Sequence, residues 1–254
     1  MTSVQDIYDF LDKIAPFNAA MEFDNCGLLV GNFERQVKKV LLALDITKDV
    51  ASEAQNIGAE LIASHHPVIF KPLSELDFNS AAHLLSKFEI NAICAHTNLD
   101  VAEKGVNYCL AKKLLLSKLK PLTFEENQPL GLIGELEQEI DFKEFAIHVK
   151  NKLECDGLRY TITDKKIKKV AVCSGSGGEF VMEAIQKEAD AFVTGEIKYS
   201  QILKANEENL MIVDVGHYKS ENVVVKPLQA ELEAHFKNVE FFITKTLTDK
   251  IEYL

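Results

Sequence analysis

Ala59-Glu-Leu-Ile-Ala-Ser-His-His-Pro67 sets a short apolar run directly before two adjacent histidines and a proline. A run of that length, bounded by a helix-breaking residue, reads as a buried strand, here Leu61–Ser64. It delivers His65 and His66 at a strand edge, where α/β sheets hold their ligands. Neighbouring residues of a strand point to opposite faces, so one ion would not take both rings along unbroken β structure. A turn there lets each imidazole reach its own ion, which suggests a two-metal site.

The same strand-then-helix rhythm continues on both sides. Val40–Ile46 reads as a buried strand followed by a helix over Lys48–Ile57, and a helix near Ser80–Phe88 precedes the strand Ile90–Ala95. Val101–Leu116 carries Val106, Leu110 and Leu114 at helical spacing, with Asp100 placed to cap it. Thr, Glu, Asn and Gln accumulate over Pro121–Pro129, which reads as a domain boundary. The pattern then restarts. Strands are predicted over Gly131–Leu136, Leu158–Ile162, Lys169–Cys173, Ala191–Thr194, Leu210–Val215 and Val239–Thr244. Helices fall at Phe142–Leu153, Glu179–Glu188, Glu196–Asn206 and Ser220–Ala234. This alternation predicts an α/β protein with largely parallel or mixed sheets.

Composition sets the outer limits. The chain has 254 residues, 47% apolar and 26% charged, enough for one large or two modest domains. A net charge of −11 argues against broad nucleic-acid or anionic-membrane binding, although bound cations can still attract a polyphosphate. Five scattered cysteines without a Cys-x-x-Cys pair read as free thiols. There is no run of about 20 apolar residues to span a membrane, and the N-terminus is acidic and amphipathic, unlike an export signal. The expected location is the cytoplasm.

Four polar clusters each follow an apolar strand: His65-His-Pro67, His96-Thr-Asn-Leu-Asp100, Gly195-Glu196 and Gly216-His-Tyr-Lys-Ser-Glu221. Their shared position carries more weight than any one of them, because ligands bind beyond the carboxyl ends of strands. His217 and Glu221 are four residues apart and share a face if that segment is helical. Imidazole nitrogens with carboxylate oxygens suit Zn, Fe, Mn or Ni, whereas an all-oxygen set would favour Mg or Ca. His83, His148 and His235 lie in helical patterns without such company and read as structural. The glycine-rich run Cys173-Ser-Gly-Ser-Gly-Gly-Glu179 lacks the Lys-Ser/Thr of a P-loop and reads as a tight strand-to-helix turn.

Taken in order, Phe23-Asp-Asn-Cys-Gly-Leu-Leu-Val-Gly31, Ser64-His-His-Pro67, His96-Thr-Asn-Leu-Asp100, Thr194-Gly-Glu196 and Gly216-His-Tyr-Lys-Ser-Glu221 resemble the GTP cyclohydrolase 1 type 2 family, also called the interacting-factor-three-like family. The resemblance runs from about residue 4 to the C-terminus. It implies two α/β domains, residues 1–124 plus 212–254 carrying a dimetal site and residues 125–211 forming the other. It also implies a toroidal homohexamer. By position, the implied ligands of two divalent transition-metal ions are His65, His66, Asp100, His217 and Glu221, with Glu221 as the bridge. The family's first motif commonly begins with Trp where this chain has Phe23, and many relatives carry a histidine where it has Ser200.

The resemblance further implies hydrolysis of GTP to dihydroneopterin triphosphate and formate by metal-activated water. His96 is then the acid/base group, Glu196 and Tyr199 wall the site, and Lys219 helps hold the triphosphate. Two alternatives stand beside it. One is a dimetal hydrolase of another nucleotide or phosphoester, and the other a non-catalytic metal-binding ring scaffold.

Overall fold

The computed structural model describes residues 1–254. Two compact units emerge, one made of Met1–Glu103 with Val225–Thr248 and the other of Lys104–Val224 with Asp249–Leu254. The first begins with helix α1 (Val4–Ile14), opened by a capping box in which Ser3 and Asp6 satisfy each other's backbone N–H groups. Val4, Ile7 and Leu11 share its buried face. Next come β1 (Gly27–Val30), β2 (Lys39–Ala43), α2 (Lys48–Ile57), β3 (Leu61–Ser64), α3 (Ala81–Phe88), β4 (Asn91–Cys94) and α4 (Thr97–Val101).

The second unit contains α5 (Val106–Lys113), β5 (Ser117–Glu125), β6 (Gln128–Ile140), α6 (Phe142–Lys152), β7 (Arg159–Tyr160) and β8 (Ile167–Cys173). It continues through α7 (Val181–Gln186), β9 (Ala191–Thr194), α8 (Tyr199–Glu207), β10 (Met211–Asp214) and α9 (His217–Glu221). The chain then returns to the first unit as α10 (Val225–His235) and β11 (Glu240–Ile243).

Both sheets are mixed, as the α/β alternation predicts. In the first unit the order is β1-β4-β3-β2-β11, antiparallel between β1 and β4 and parallel elsewhere. Every residue of β3 and β4 is buried, which is why these strands read as unbroken apolar runs rather than alternating ones. In the second unit the order is β5-β6-β8-β9-β10-β7, with β8, β9 and β10 parallel. No helix is long and apolar enough to cross a membrane.

Three expectations from the sequence need correction. The polar stretch 121–129 is not a linker but a β-hairpin between β5 and β6, whose turn residues Glu126 and Asn127 both have positive φ. Turn chemistry and linker chemistry use the same residues. The division therefore falls at 103/104 and 224/225 instead of 124/125 and 211/212. At the first point Leu110, Ala111 and Leu114 pack with Phe145, Val170 and Val213 in the core of the second unit. At the other, β10 is an interior strand of the second sheet.

The helix expected over 101–116 is two helices, and Asp100 lies in the last turn of α4 while Gly105 precedes α5. Likewise the helix expected over 220–234 is α9, a 3-10 turn at Asn222–Val224, and α10. The earlier start at His217 puts His217 and Glu221 one turn apart.

Candidate metal centre

In the first unit, parallel pairing of β2, β3 and β4 aligns their carboxyl ends, and the polar residues come immediately after. His65 and His66 extend β3 past its last ladder residue, held by backbone bonds to the carbonyls of Ala43 and Leu44. The chain bends there, so the two rings are not thrown to opposite faces. Their centroids lie 5.0 Å apart, and each lies near His96, at 5.1 Å for His65 and 5.3 Å for His66. Ring nitrogens of all three fall within 4.8 Å of one another, a spacing that can hold a metal ion. Asp100 joins them, its Oδ1 3.7 Å from His65 Nε2.

Each ring is fixed through Nδ1. His65 Nδ1 lies 3.0 Å from the Ala95 carbonyl, His66 Nδ1 2.8 Å from Asp45 Oδ1, and His96 Nδ1 2.9 Å from Asp24 Oδ1. A proton on Nδ1 leaves the Nε2 lone pair for a metal or for proton exchange. Asp24 is fully buried and also accepts from Thr97 N at 3.0 Å, Thr97 Oγ1 at 2.6 Å and Cys26 Sγ at 3.1 Å. Burial pushes its carboxyl up, but the bonds from His96, Thr97 and Cys26 outweigh it and hold Asp24 well below the usual carboxylate range.

In the second unit, the ends of β8, β9 and β10 supply a separate cluster. His217 opens α9 directly after β10, with Nδ1 2.9 Å from Glu196 Oε1 and Nε2 2.9 Å from Glu221 Oε2. The bond to Glu221 is the main reason that the imidazole is pushed up to about 9. Burial opposes it, and Glu196 adds to it. Glu196 is held low, chiefly by Ser176 Oγ, which donates to its Oε2 at 2.6 Å.

Glycine loops make room for this arrangement. Gly175 adopts φ +58°, and a Cβ there would lie 2.2 Å from Glu221 Oε1. A Cβ at Gly195 would lie 2.5 Å from the hydroxyl of Ser220. That buried hydroxyl accepts from Gly175 N at 2.9 Å and donates to His217 O at 2.7 Å, so it binds the glycine loop to the first turn of α9.

The structure thus gathers His65, His66, His96 and Asp100 in one unit, and His217, Glu221 and Glu196 in the other. The remaining candidates are placed differently. Lys219 Nζ donates to the Glu154 carbonyl at 2.6 Å and lies 3.7 Å from Asp156 Oδ2, while Tyr199 is largely exposed at the start of α8. Sequence reasoning overlooked the residues that anchor the rings. Asp45 stands just beyond β2, the same position that singled out the histidines, and Asp24 lies inside the Phe23-Asp-Asn-Cys-Gly motif. Imidazoles anchored through Nδ1, together with carboxylate oxygens, suit divalent transition metals.

Comparison with known proteins agrees along the whole chain. The family model described as Duf34/NIF3 (NGG1p interacting factor 3) matches residues 2–250. A Clostridium perfringens protein named "GTP cyclohydrolase 1 type 2 homolog" is 34% identical, with 99% of both chains covered. Among solved structures, a Staphylococcus aureus hypothetical protein is similar with a TM-score of 0.92 at 30% identity, covering 99% of both chains. A Bacillus cereus protein related to NIF3 gives a TM-score of 0.92 at 26% identity, covering 100% of this chain and 99% of its own. The two sheets, the residues at their carboxyl ends and these matches lead to one conclusion: the chain belongs to the Duf34/NIF3 (NGG1p interacting factor 3) family.

Proposed function

We propose that this protein is a metal-dependent hydrolase in which His65, His66, Asp100, His217 and Glu221 hold two divalent transition-metal ions. Glu221 would contribute its carboxylate to holding the pair, and GTP or a related nucleotide is the substrate. One observation carries the reading. Each of four imidazoles has its Nδ1 against an oxygen, the Ala95 carbonyl for His65 and the carboxylates of Asp45, Asp24 and Glu196 for His66, His96 and His217. Metal-binding histidines are oriented in this way, because the anchor fixes the ring and raises the basicity of the other nitrogen. The names of the curated relatives support a GTP cyclohydrolase activity that yields dihydroneopterin triphosphate and formate.

When bound, the ions supply Lewis-acid polarisation and activate water near neutral pH. The protein's own part in the reaction falls to a few groups. His96, held at Nδ1 by Asp24, exchanges a proton with the purine through Nε2. Asp24 stays ionised and keeps the ring in one orientation. Glu196 holds His217 from behind, so that its other nitrogen keeps a fixed direction. The proposed assembly is a homohexamer in the cytoplasm.

Metal-loaded protein incubated with GTP, ATP and a generic phosphodiester tests the reading. Formate and an oxidised fluorescent pterin from GTP alone support it, and inorganic phosphate without formate moves the assignment to a phosphoester hydrolase. Glu221→Gln should lose bound metal and turnover together, because an amide cannot supply the carboxylate's charge. Full metal content and turnover in that variant overturn the ligand assignment. Retained metal content with no turnover on any substrate in wild type favours a ring scaffold.

A further inference from the structure

Two aromatic rings beside the three-imidazole cluster are unusually open to solvent. Phe23 is 64% exposed and Phe70 41% exposed, although side chains of this size normally find cover in a folded domain. Their centroids are 6.4 Å apart with planes at 57°, and Phe70 lies 6.4 Å from His96 at 77°. His65 and His66 come next, at 5.1 Å and 5.3 Å from His96. A row of π-systems therefore leads from the surface to the candidate metal-binding rings.

The row is anchored from behind. Asn25 Nδ2 donates to the Ile69 carbonyl at 2.6 Å, tying the segment two residues after Phe23 to the residue before Phe70. Asp24, next to Phe23, is fastened to His96 and Thr97. Rings held on such backbone lose little freedom when a ligand arrives, which is the condition for stacking to yield net affinity. The two phenyl faces bring no charge of their own; of the carboxylates on either side of Phe23, that of Asp24 is buried and already bonded, while Glu22, like Lys71 after Phe70, is exposed to solvent. Neutral π-faces beside a reactive polar cluster suit a flat aromatic ring, since every nucleobase offers a π-face that stacks on such side chains.

We propose that Phe23 and Phe70 form a stacking wall that takes the planar heteroaromatic ring of the ligand, a nucleobase being the matching chemical class, and presents its edge to His96. The proposal rests on the hydrolase reading, which supplies the reaction for which such a ring is held. A second copy of this chain covering the same rings is the competing occupant.

The probe is the triphosphate of 2-aminopurine riboside, a purine whose fluorescence is quenched by stacking. The chain contains no tryptophan to interfere with the signal. Titration into the full-length, metal-loaded protein should give saturable quenching. Phe23→Leu and Phe70→Leu should each weaken probe binding roughly 5- to 100-fold, as loss of one base-stacking ring does elsewhere, with metal content unchanged. Phe23→Trp, whose indole adds its own fluorescence, is read by equilibrium dialysis instead and should bind at least as tightly as wild type, which a merely space-filling role for Phe23 does not require. Absence of quenching in wild type overturns the wall. So do leucine variants that bind the probe normally, including any that change only the sedimentation coefficient. Normal stacking of the probe with no formate released from GTP sinks the cyclohydrolase reading and leaves the wall standing, while formate release with unaffected leucine variants does the reverse.

Discussion

Replacing Gly175 by alanine would put a methyl carbon 2.2 Å from Glu221 Oε1. Ordinary contact begins near 3.4 Å, so one of the two must retreat by about 1.2 Å. The loop backbone has little freedom, because Gly175 N is bonded to the buried Ser220 hydroxyl. The end of the Glu221 side chain moves instead, away from a position 2.9 Å from His217 Nε2. A second cost is local, since alanine at φ +58° destabilises the backbone by roughly 1–2 kcal/mol. That lowers Tm by about 2–8 °C in a protein of this size.

Gly58→Ala separates the two costs. Gly58 ends α2 at φ +70°, and nothing lies within 4 Å of where its Cβ would be. It should lose a similar Tm and keep its metal affinity. Gly175→Ala should bind metal roughly 10- to 100-fold more weakly, read by competition with a chromophoric chelator. If Gly175→Ala holds metal as tightly as Gly58→Ala does, the loop does not position a metal-binding carboxylate and the reasoning fails.

Three further outcomes are expected. Asp45→Asn, which weakens the carboxylate anchor 2.8 Å from His66 Nδ1, should lower metal affinity roughly tenfold or more while leaving the urea midpoint of metal-free protein nearly unchanged, because the Asp45 side chain is 41% exposed. Asp24→Ala should destabilise the metal-free chain by about 3 kcal/mol or more in urea unfolding, since it strands several donors around a fully buried acceptor; an unchanged midpoint would contradict that. For Glu53, burial raises the carboxyl and the bonds from Thr244, Lys245 and Thr246 bring it below its ordinary 4.5. Its contribution is therefore complete above about pH 4.5 and fades as pH falls through the lower folded value, so wild type should lose more stability between pH 6 and 3 than Glu53→Gln does.

The histidine doublet, the strand before it and the alternation of strand and helix were legible because each depends on nearby residues. Leu61–Ser64 is apolar because both faces of β3 are covered, and residues just past the end of a parallel strand must lie at the sheet's carboxyl edge. His217 and Glu221 were recognisable by spacing, although the onset of α9 at His217 was not. The features that stayed hidden depend on distant contacts or on ambiguous chemistry. Residues 121–129 look like a linker because tight hairpins and linkers draw on the same polar residues, and only pairing with a neighbouring strand tells them apart. The Asp24–His96 and Asp45–His66 pairs join residues 72 and 21 positions apart, and a lone aspartate gives no sign of its partner. Gly175 showed only as a turn residue, since the carboxylate that forbids a side chain there lies 46 residues later.

The strand order of the first sheet bears on how the chain is made. β11, the strand flanking β2 in parallel, belongs to the segment Val225–Thr248, whereas the strands of the second sheet all lie between Ser117 and Asp214. On a ribosome, the second unit can close its sheet while the first still waits for its border strand. Until those last residues emerge, Lys39–Ala43 offers a bare row of peptide groups to any neighbouring chain. A product stopped before Val225 would keep that opening permanently and should be recovered as aggregate.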